Sequence, residues 1–288
     1  MRANAVTIRQ STPEDAAICG KICFDAFSGI NIHHGFLPEI PSVEAGAGLV
    51  GMLFSHPKFY TLVAELDGRI VGSNSLDERS AIAGVGPITV DPSVQNQGIG
   101  HLLMDAVLDR AREADFAGIR LVQAAFHCRS LSLYSMLGFE VREPLAVMRG
   151  PAIAQPLAGF AVRAAVAADM GACNRVCQQV HGHDRDGELA DAVSQGTAIV
   201  VERHGAITGY ASSFGYFGHA VAQSTADLIP LISSAADFPA PGILIPMRNT
   251  QLFQWCLKNG LRMVQPMNLM TIGLYSEPDG AYLPSILY

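Results

Sequence analysis

Charge is scarce in this 288-residue chain: Asp, Glu, Lys and Arg make up only 16% of it, and 19 basic against 26 acidic residues leave a net charge of −7. No segment is rich in Lys or Arg, so the clustered basic surface that a nucleic-acid partner requires is missing. Any anion must be held locally, by backbone or by a few placed side chains. Long apolar runs are missing too, since none approaches the ~18 residues of a membrane span. Met1 to Thr7 has no apolar core of signal-peptide length. A cytoplasmic protein with no membrane partner is the expectation. Cys-x-x-Cys pairs are absent, and six cysteines without them fit reduced thiols better than a disulfide framework.

What is present is apolar residue, at 49%, enough to bury sizeable cores, and a length that suits two domains. Val6 to Arg9 reads as a strand. Thr12-Pro13-Glu14-Asp15 then opens a helix to about Phe27, with Thr12 as N-cap and Pro13 at the first helical position. A helix is expected over 43–54, followed by strands at 60–65 and 69–73 joined through Asp67-Gly68, a pair suited to a tight hairpin. A third strand, Ile82 to Val90, contains Pro87, which cannot donate to a ladder and predicts a bulge or splay there. Apolar residues at helical spacing from Leu102 to Ala114, a strand at 119–125, a helix at 130–137 and a strand at 139–148 follow. Gly150 to Pro156 reads as a linker.

Beyond that linker the chain begins again. Val162-Arg163, Asp169, Cys173 and Cys177 repeat Ile8-Arg9, Asp15, Cys19 and Cys23 at a constant offset. Glu202 to Gly209 mirrors Glu65 to Gly72, and Asn249 to Gly260 tracks His127 to Gly138. Three blocks in the same order predict a duplicated fold, with domains at 1–150 and 151–288.

The third strand runs into Val90-Asp91-Pro92-Ser93-Val94-Gln95-Asn96-Gln97-Gly98-Ile99-Gly100, then His101 and an amphipathic helix. Convergent backbone N–H groups at a helix N-terminus can hold a phosphate without Lys or Arg. The continuation His101-Leu102-Leu103 matches neither a Walker A loop nor a dinucleotide fingerprint. The alternative is an ordinary Gly-rich strand-to-helix turn.

Gln95-x-x-Gly98-x-Gly100 after such a strand resembles the acyl-CoA pyrophosphate loop of the GNAT N-acetyltransferase superfamily. His127 to Phe139 looks like a second hallmark of that family, with Tyr134 in place and His127 where Asn is usual. The resemblance covers most of 5–150 and implies an α/β (α+β) fold of two tandem GNAT-like domains. Each would be a mixed, mostly antiparallel sheet flanked by helices, with a splayed strand pair holding acyl-CoA in the first. It implies acetyl-CoA as co-substrate, bound by Ile88, Thr89, Val90, Gln95, Asn96, Gln97, Gly98, Ile99, Gly100, His101 and His127. Tyr134 would supply a proton to the leaving thiolate; a purely packing tyrosine is the alternative.

The expected activity is acetyl transfer to a primary amine by direct attack in a ternary complex. The acceptor would be a small molecule or a peptide, and a homodimer is compatible. A non-catalytic acyl-CoA-binding sensor is the competing reading, and an unrelated nucleotide-binding protein a third. The general base stays unassigned among solvent, His33, His34, Glu39 and His56, with a chain-end carboxylate at Tyr288 a further idea. In the second half Asn249 supplies the missing asparagine, but Cys256 replaces the tyrosine and no Gln-x-x-Gly-x-Gly occurs between Gly215 and Asn249. That copy is expected to lack an acyl-CoA site. Cys173, Cys177, His181 and His183 are metal-ligand types at helical spacing. Because Cys19 and Cys23 repeat without histidine, the thiols are read as a core stripe and no metal is expected.

Overall fold

The computed structural model describes residues 6–288; Met1 to Ala5 of the N-terminal stretch lie outside the described residues. Two compact units emerge. The first runs to Glu78, resumes over Ala83–Ile119 and includes Leu287; the second comprises Arg79–Ile82, Arg120–Ile286 and Tyr288. No helix among the described residues is long and apolar enough to cross a membrane.

In the first unit β1 (Val6–Gln10) leads through a 3-10 turn at Pro13–Asp15 to α1 (Ala16–His33) and α2 (Val43–Ser55). Thr12 is the N-cap residue of that turn, as expected, and Asp15 reaches back to it: its carboxylate accepts the Thr12 N–H at 2.8 Å and two hydrogen bonds from Arg9 at 2.7 and 3.0 Å. The helix overruns the expected stop at Phe27 because its buried face, carrying Cys19, Ile22 and Cys23, continues to Asn31. Then come β2 (Phe59–Leu66), β3 (Arg69–Asp77), β4 (Ile82–Val85), β5 (Thr89–Val90) and α3 (Ile99–Glu113). The sheet order is β1-β2-β3-β4, with β5 also on β3, and the β1–β2, β2–β3, β3–β4 and β3–β5 pairings are antiparallel. The β2–β3 hairpin turns on Asp67 and Gly68, both at positive φ (52° and 74°), as an Asp-Gly turn requires.

In the second unit β6 (Gly118–Ala124), α4 (Cys128–Met136) and β7 (Glu140–Arg149) precede β8 (Phe160–Ala164), α5 (Met170–His181), α6 (Asp186–Ser194), β9 (Ile199–Arg203), β10 (Ala206–Ala211), β11 (Ala220–Ala222) and α7 (Thr225–Ser233). The chain finishes with β12 (Ile243–Pro246), α8 (Thr250–Lys258), β13 (Arg262–Gly273) and β14 (Ala281–Leu283). One sheet is ordered β6-β13-β7-β12, the other β14-β11-β10-β9-β8. Both edges of β7 are occupied by strands from beyond the linker: Met148 pairs with Ile243 on one side and Met263 on the other. Residues 120–149 thus pack with the later half, and the spatial division falls at 119/120, upstream of the 150–156 linker. Long-range pairing, invisible to local pattern, decides this.

The repeat is legible in three dimensions. Arg163 grips Asp169 at 2.7 and 2.9 Å and Glu202 at 2.9 Å through Nε, as Arg9 grips Asp15 and Glu65 (2.8 Å through Nε). The second hairpin repeats positive φ at His204 and Gly205 (53° and 76°). The resulting mixed α/β architecture, mostly antiparallel sheets flanked by helices, is the fold class anticipated from sequence.

Candidate active site

The expected third strand is two strands. Val85 pairs with Leu76, and Val90 pairs with Gly72, so the register slips by one residue across Gly86-Pro87-Ile88, the bulge that Pro87 forecast. Asp91 N–H donates to the Val71 carbonyl at 2.8 Å, which makes Ser73 and Thr89 the hydrogen-bonded pair of this ladder. The Ile88 carbonyl and the backbone groups of Val90 therefore point away from β3. Gly72 permits the close approach, because a Cβ there would lie 2.6 Å from the Thr89 carbonyl oxygen and 3.2 Å from the Leu103 side chain.

A short 3-10 turn, Pro92–Val94, follows; the Asp91 carboxylate caps it by accepting the Ser93 N–H at 2.9 Å. The amide side chain of Gln95 reaches back and donates to the Val90 carbonyl at 3.0 Å, tying the loop to the end of β5. Asn96 (φ 66°) and Gly98 (φ 83°) both adopt the left-handed region, which folds the backbone into a concave turn. At Gly98 no atom lies within 4 Å of where a Cβ would be, so the glycine is there for its φ and for open approach. Among the described residues the backbone N–H groups of Gln97, Gly98, Ile99 and Gly100 donate no backbone hydrogen bond. They are the orphan donors of the α3 N-terminus, where the helix dipole adds positive potential.

Helix α3 is held rigidly behind this turn. Ile99, Leu103, Met104, Val107, Leu108 and Ala111 are buried at helical spacing, and each large side chain contributes about 1.5–3 kcal/mol of burial. Asn74 of β3, fully buried, donates to the Leu103 carbonyl at 3.2 Å. His101 is exposed and sits 3.4 Å from Asp105 on its own helix.

In the second unit, Gly138 (φ 95°) turns the chain after α4 so that Phe139 N–H donates to the Tyr134 carbonyl at 3.0 Å, and the two rings meet edge to face at 6.1 Å. That is the physical content of the Tyr-x-x-x-Gly-Phe spacing. Tyr134 is 8% exposed, and its hydroxyl makes no hydrogen bond among the described residues. Burial pushes its phenol well above the ordinary value, so the proton stays on throughout the neutral range. His127 is the N-cap residue of α4 but its side chain does not cap, whereas Asn249 at the start of α8 accepts the Leu252 N–H at 3.0 Å. Gln123, 2% exposed, compensates by donating to the His127 carbonyl at 3.1 Å and to Ser130 at 3.0 Å, and Asn268 donates to its oxygen at 3.0 Å. Sequence reading missed Gln123, which carries no motif; only a polar residue inside a buried strand signals it.

The base candidates disperse over loop positions of the first unit. His33 and His34 are exposed at the end of α1, Glu39 accepts from Asn31 at 3.3 Å, and His56 accepts the Lys58 N–H at 3.1 Å. Asp77, a buried carboxylate at the end of β3 that pairs in register with Gly84 of β4, was not among them. The sulfur stripe is core: Cys173 and Cys177 are fully buried among Val176, Val180 and Leu189, and desolvation raises their thiols to about 12 and about 11. Among the described residues no group of three or more His, Cys, Asp or Glu could hold a metal ion.

The segment carrying the loop, residues 35–139, matches the model of the acetyltransferase (GNAT) family, whose general chemistry is acetyl transfer from acetyl-CoA. The whole chain has the fold of GNAT acetyltransferases, the tandem kind included. A candidate acetyltransferase from Pyrococcus horikoshii superposes with a TM-score of 0.75 at 18% identity, over 100% of this chain and 94% of that one. A GCN5-related N-acetyltransferase from Sphaerobacter thermophilus gives 0.61 at 16% identity over 94% and 96%. A tandem GNAT protein from the clavulanic acid biosynthesis pathway gives 0.57 at 13% identity over 93% and 98%. At these identities the likeness is one of fold. No curated protein sequence matches the chain.

Proposed function

We propose that the chain is an acetyl-CoA-dependent N-acyltransferase that binds one acyl-CoA per polypeptide, in the first repeat (1–150), and moves its acetyl group to a primary amine. The observation that carries this reading is the row of unengaged N–H groups at Gln97 to Gly100, directly after a strand whose Ile88 carbonyl and Val90 backbone groups face away from its neighbour. Acetyl-CoA supplies an activated thioester and a pyrophosphate. The Gln97 to Gly100 amides fit the pyrophosphate, and Asn96 with Gln95 shapes the turn around it. His101, exposed in the first turn of α3, flanks it. The backbone of Ile88 and Val90 offers a strand edge to the pantetheine amides, and the Ile88 N–H is a donor suited to negative charge developing on the thioester oxygen.

Tyr134 keeps its proton and so acts as donor, to the departing thiolate. His127 occupies the position of a pantetheine contact with a ring instead of an amide. Asp77 joins the histidines as a candidate base, on the strength of its burial beside the broken strand. Cytoplasmic location, a homodimer and the second repeat (151–288) as a copy without acyl-CoA complete the reading.

Calorimetry with acetyl-CoA, followed by thiol release with a panel of primary amines, tests it. One equivalent bound and amine-dependent thiol release are expected. Binding without turnover on any amine would leave the sensor as the better reading, and ATP bound as tightly as acetyl-CoA would sink both.

A further inference from the structure

Arg120, on β6 in the second unit, is 2% exposed, yet no acid pairs with it among the described residues. Its Nη1 donates to the Tyr288 hydroxyl, and the face of the guanidinium lies 4.5 Å from the Tyr288 ring centre and 5.3 Å from that of Tyr275. Nε and Nη2 have no hydrogen-bond partner among the described residues. Those two nitrogens form the side-on edge of the fork, the edge whose parallel N–H groups match the two oxygens of a carboxylate. The same edge of Arg110 takes both oxygens of Glu78, at 2.7 and 3.0 Å. Arg120 presents the donors of that pair without the acid.

Two further donors share the neighbourhood. The hydroxyls of Tyr275 and Tyr282 are buried and unpartnered, and Tyr282 packs edge-on to His181 at 4.9 Å. Other charged groups nearby have partners: Arg142, 5.4 Å from the Tyr275 ring centre, pairs with Glu140. Arg185, 3% exposed and 4.0 Å from the Tyr288 ring centre, is paired with Glu188. Glu143 is held by Arg248 at 3.1 Å, which also meets Glu277. His183, which lies 2.8 Å from the Tyr288 hydroxyl, is pushed down to about 4 by burial, and burial also lowers His181 and His219, so all three rings are neutral at pH 7. Among the described residues Arg120 is thus the buried cation of this group that no carboxylate contacts, and a buried guanidinium whose donors stay unpaired is costly. It is accompanied by two rotatable hydroxyl donors.

We propose that Arg120, Tyr275 and Tyr282 form a binding site for the carboxylate of a small organic acid. A single carboxylate satisfies the open edge, its two oxygens matching the parallel N–H groups. Tyr275 lies on the irregular segment 274–280, where Leu274, Glu277, Asp279 and Gly280 are exposed. The site stands on the second unit alone and does not depend on the acyl-transfer reading.

The test is calorimetry of the full chain against acetate, benzoate, phenylacetate, alanine and phenylalanine, each with its amide, and against inorganic phosphate. In parallel the Arg120 Nε–H resonance is followed by nuclear magnetic resonance. At least one monocarboxylate is expected to bind one equivalent and to move that resonance, with its amide weaker by ~10-fold or more. Arg120→Lys keeps the charge but removes the two-pronged edge, and a similar ~10-fold loss is expected. Tyr275→Phe, on an irregular segment where folding is not at stake, should weaken binding ~3-fold or more. The proposal is overturned if no carboxylate in the panel binds, if the Arg120 resonance does not respond to one that does, if phosphate binds more tightly than every carboxylate, or if Tyr275→Phe and Arg120→Lys both bind as the parent does.

Discussion

The turn from β5 to α3 and the turn from β11 to α7 both carry a strand into a helix, but they treat the helix N-terminus differently. Before α3 there are eight residues, two of them in the left-handed region, and four amides are left unengaged. Before α7 there are two, Gln223 and Ser224; Ser224 accepts the Asp227 N–H at 3.3 Å and donates to the Asp227 carboxylate. Asp227 is fully buried and paired with Arg203 at 3.1 Å. The second turn has thus supplied its own anion. A helix whose first turn already holds a carboxylate, paired with Arg203, offers a phosphate less than the open turn before α3 does.

Breaking the open turn should have the largest effect. Gly98→Asp forces an unfavourable φ and places a carboxylate against the expected pyrophosphate, so acetyl-CoA affinity should fall ~100-fold or more by calorimetry, with the fold retained by circular dichroism. Tyr134→Phe comes next: amine-dependent thiol release should drop ~100-fold while acetyl-CoA binding holds, because only the donated proton is lost. Unchanged turnover would return Tyr134 to a packing role.

Asp15→Ala and Asp169→Ala probe what the repeats share. Each removes a cap and an Arg grip, and each should cost about 1–2 kcal/mol in urea unfolding. The Arg163 guanidinium holds the Asp169 carboxyl down at about 2 and Arg9 lowers that of Asp15. A depressed carboxylate stabilises the native state above the unfolded value of about 4, and that stability is lost as pH falls through the folded value. The parent should therefore lose stability between about pH 4 and pH 2, and the two variants should lose less over that window. The smallest effect is expected from His127→Asn, which restores the cap seen at Asn249 and should stabilise α4 by about 0.5–1 kcal/mol while tightening acetyl-CoA a few-fold. A loss of affinity instead would give the imidazole a contact of its own.

Much of this was legible in one dimension because local geometry has local causes. Asp67-Gly68 could only turn, Pro87 could only interrupt a ladder, and Gly98 sits where only a left-handed residue opens the turn. The constant offset of Arg9 and Arg163 foretold a duplicated fold, and the structure added the matching grips. What stayed hidden was set by residues far apart in the chain. Nothing around Phe139 to Met148 announces that both its edges belong to strands beyond the linker, since an apolar strand reads the same whichever neighbour it takes. Gln123 looked like an ordinary strand position until its partners, His127, Ser130 and Asn268, were seen together. Asp77 escaped attention for the same reason.

By itself, then, the sequence determined the loop that can hold an anion, the interrupted strand before it, the tyrosine spacing and the duplication, each of which is set by backbone conformations within a few residues. Only the tertiary structure decided that residues 120–149 pack with the later half, that α7 answers its own dipole, and that Arg120 lies buried without an acid. Those depend on which strand pairs with which, and on which charges find partners across more than a hundred residues, and such choices are made by packing the whole unit.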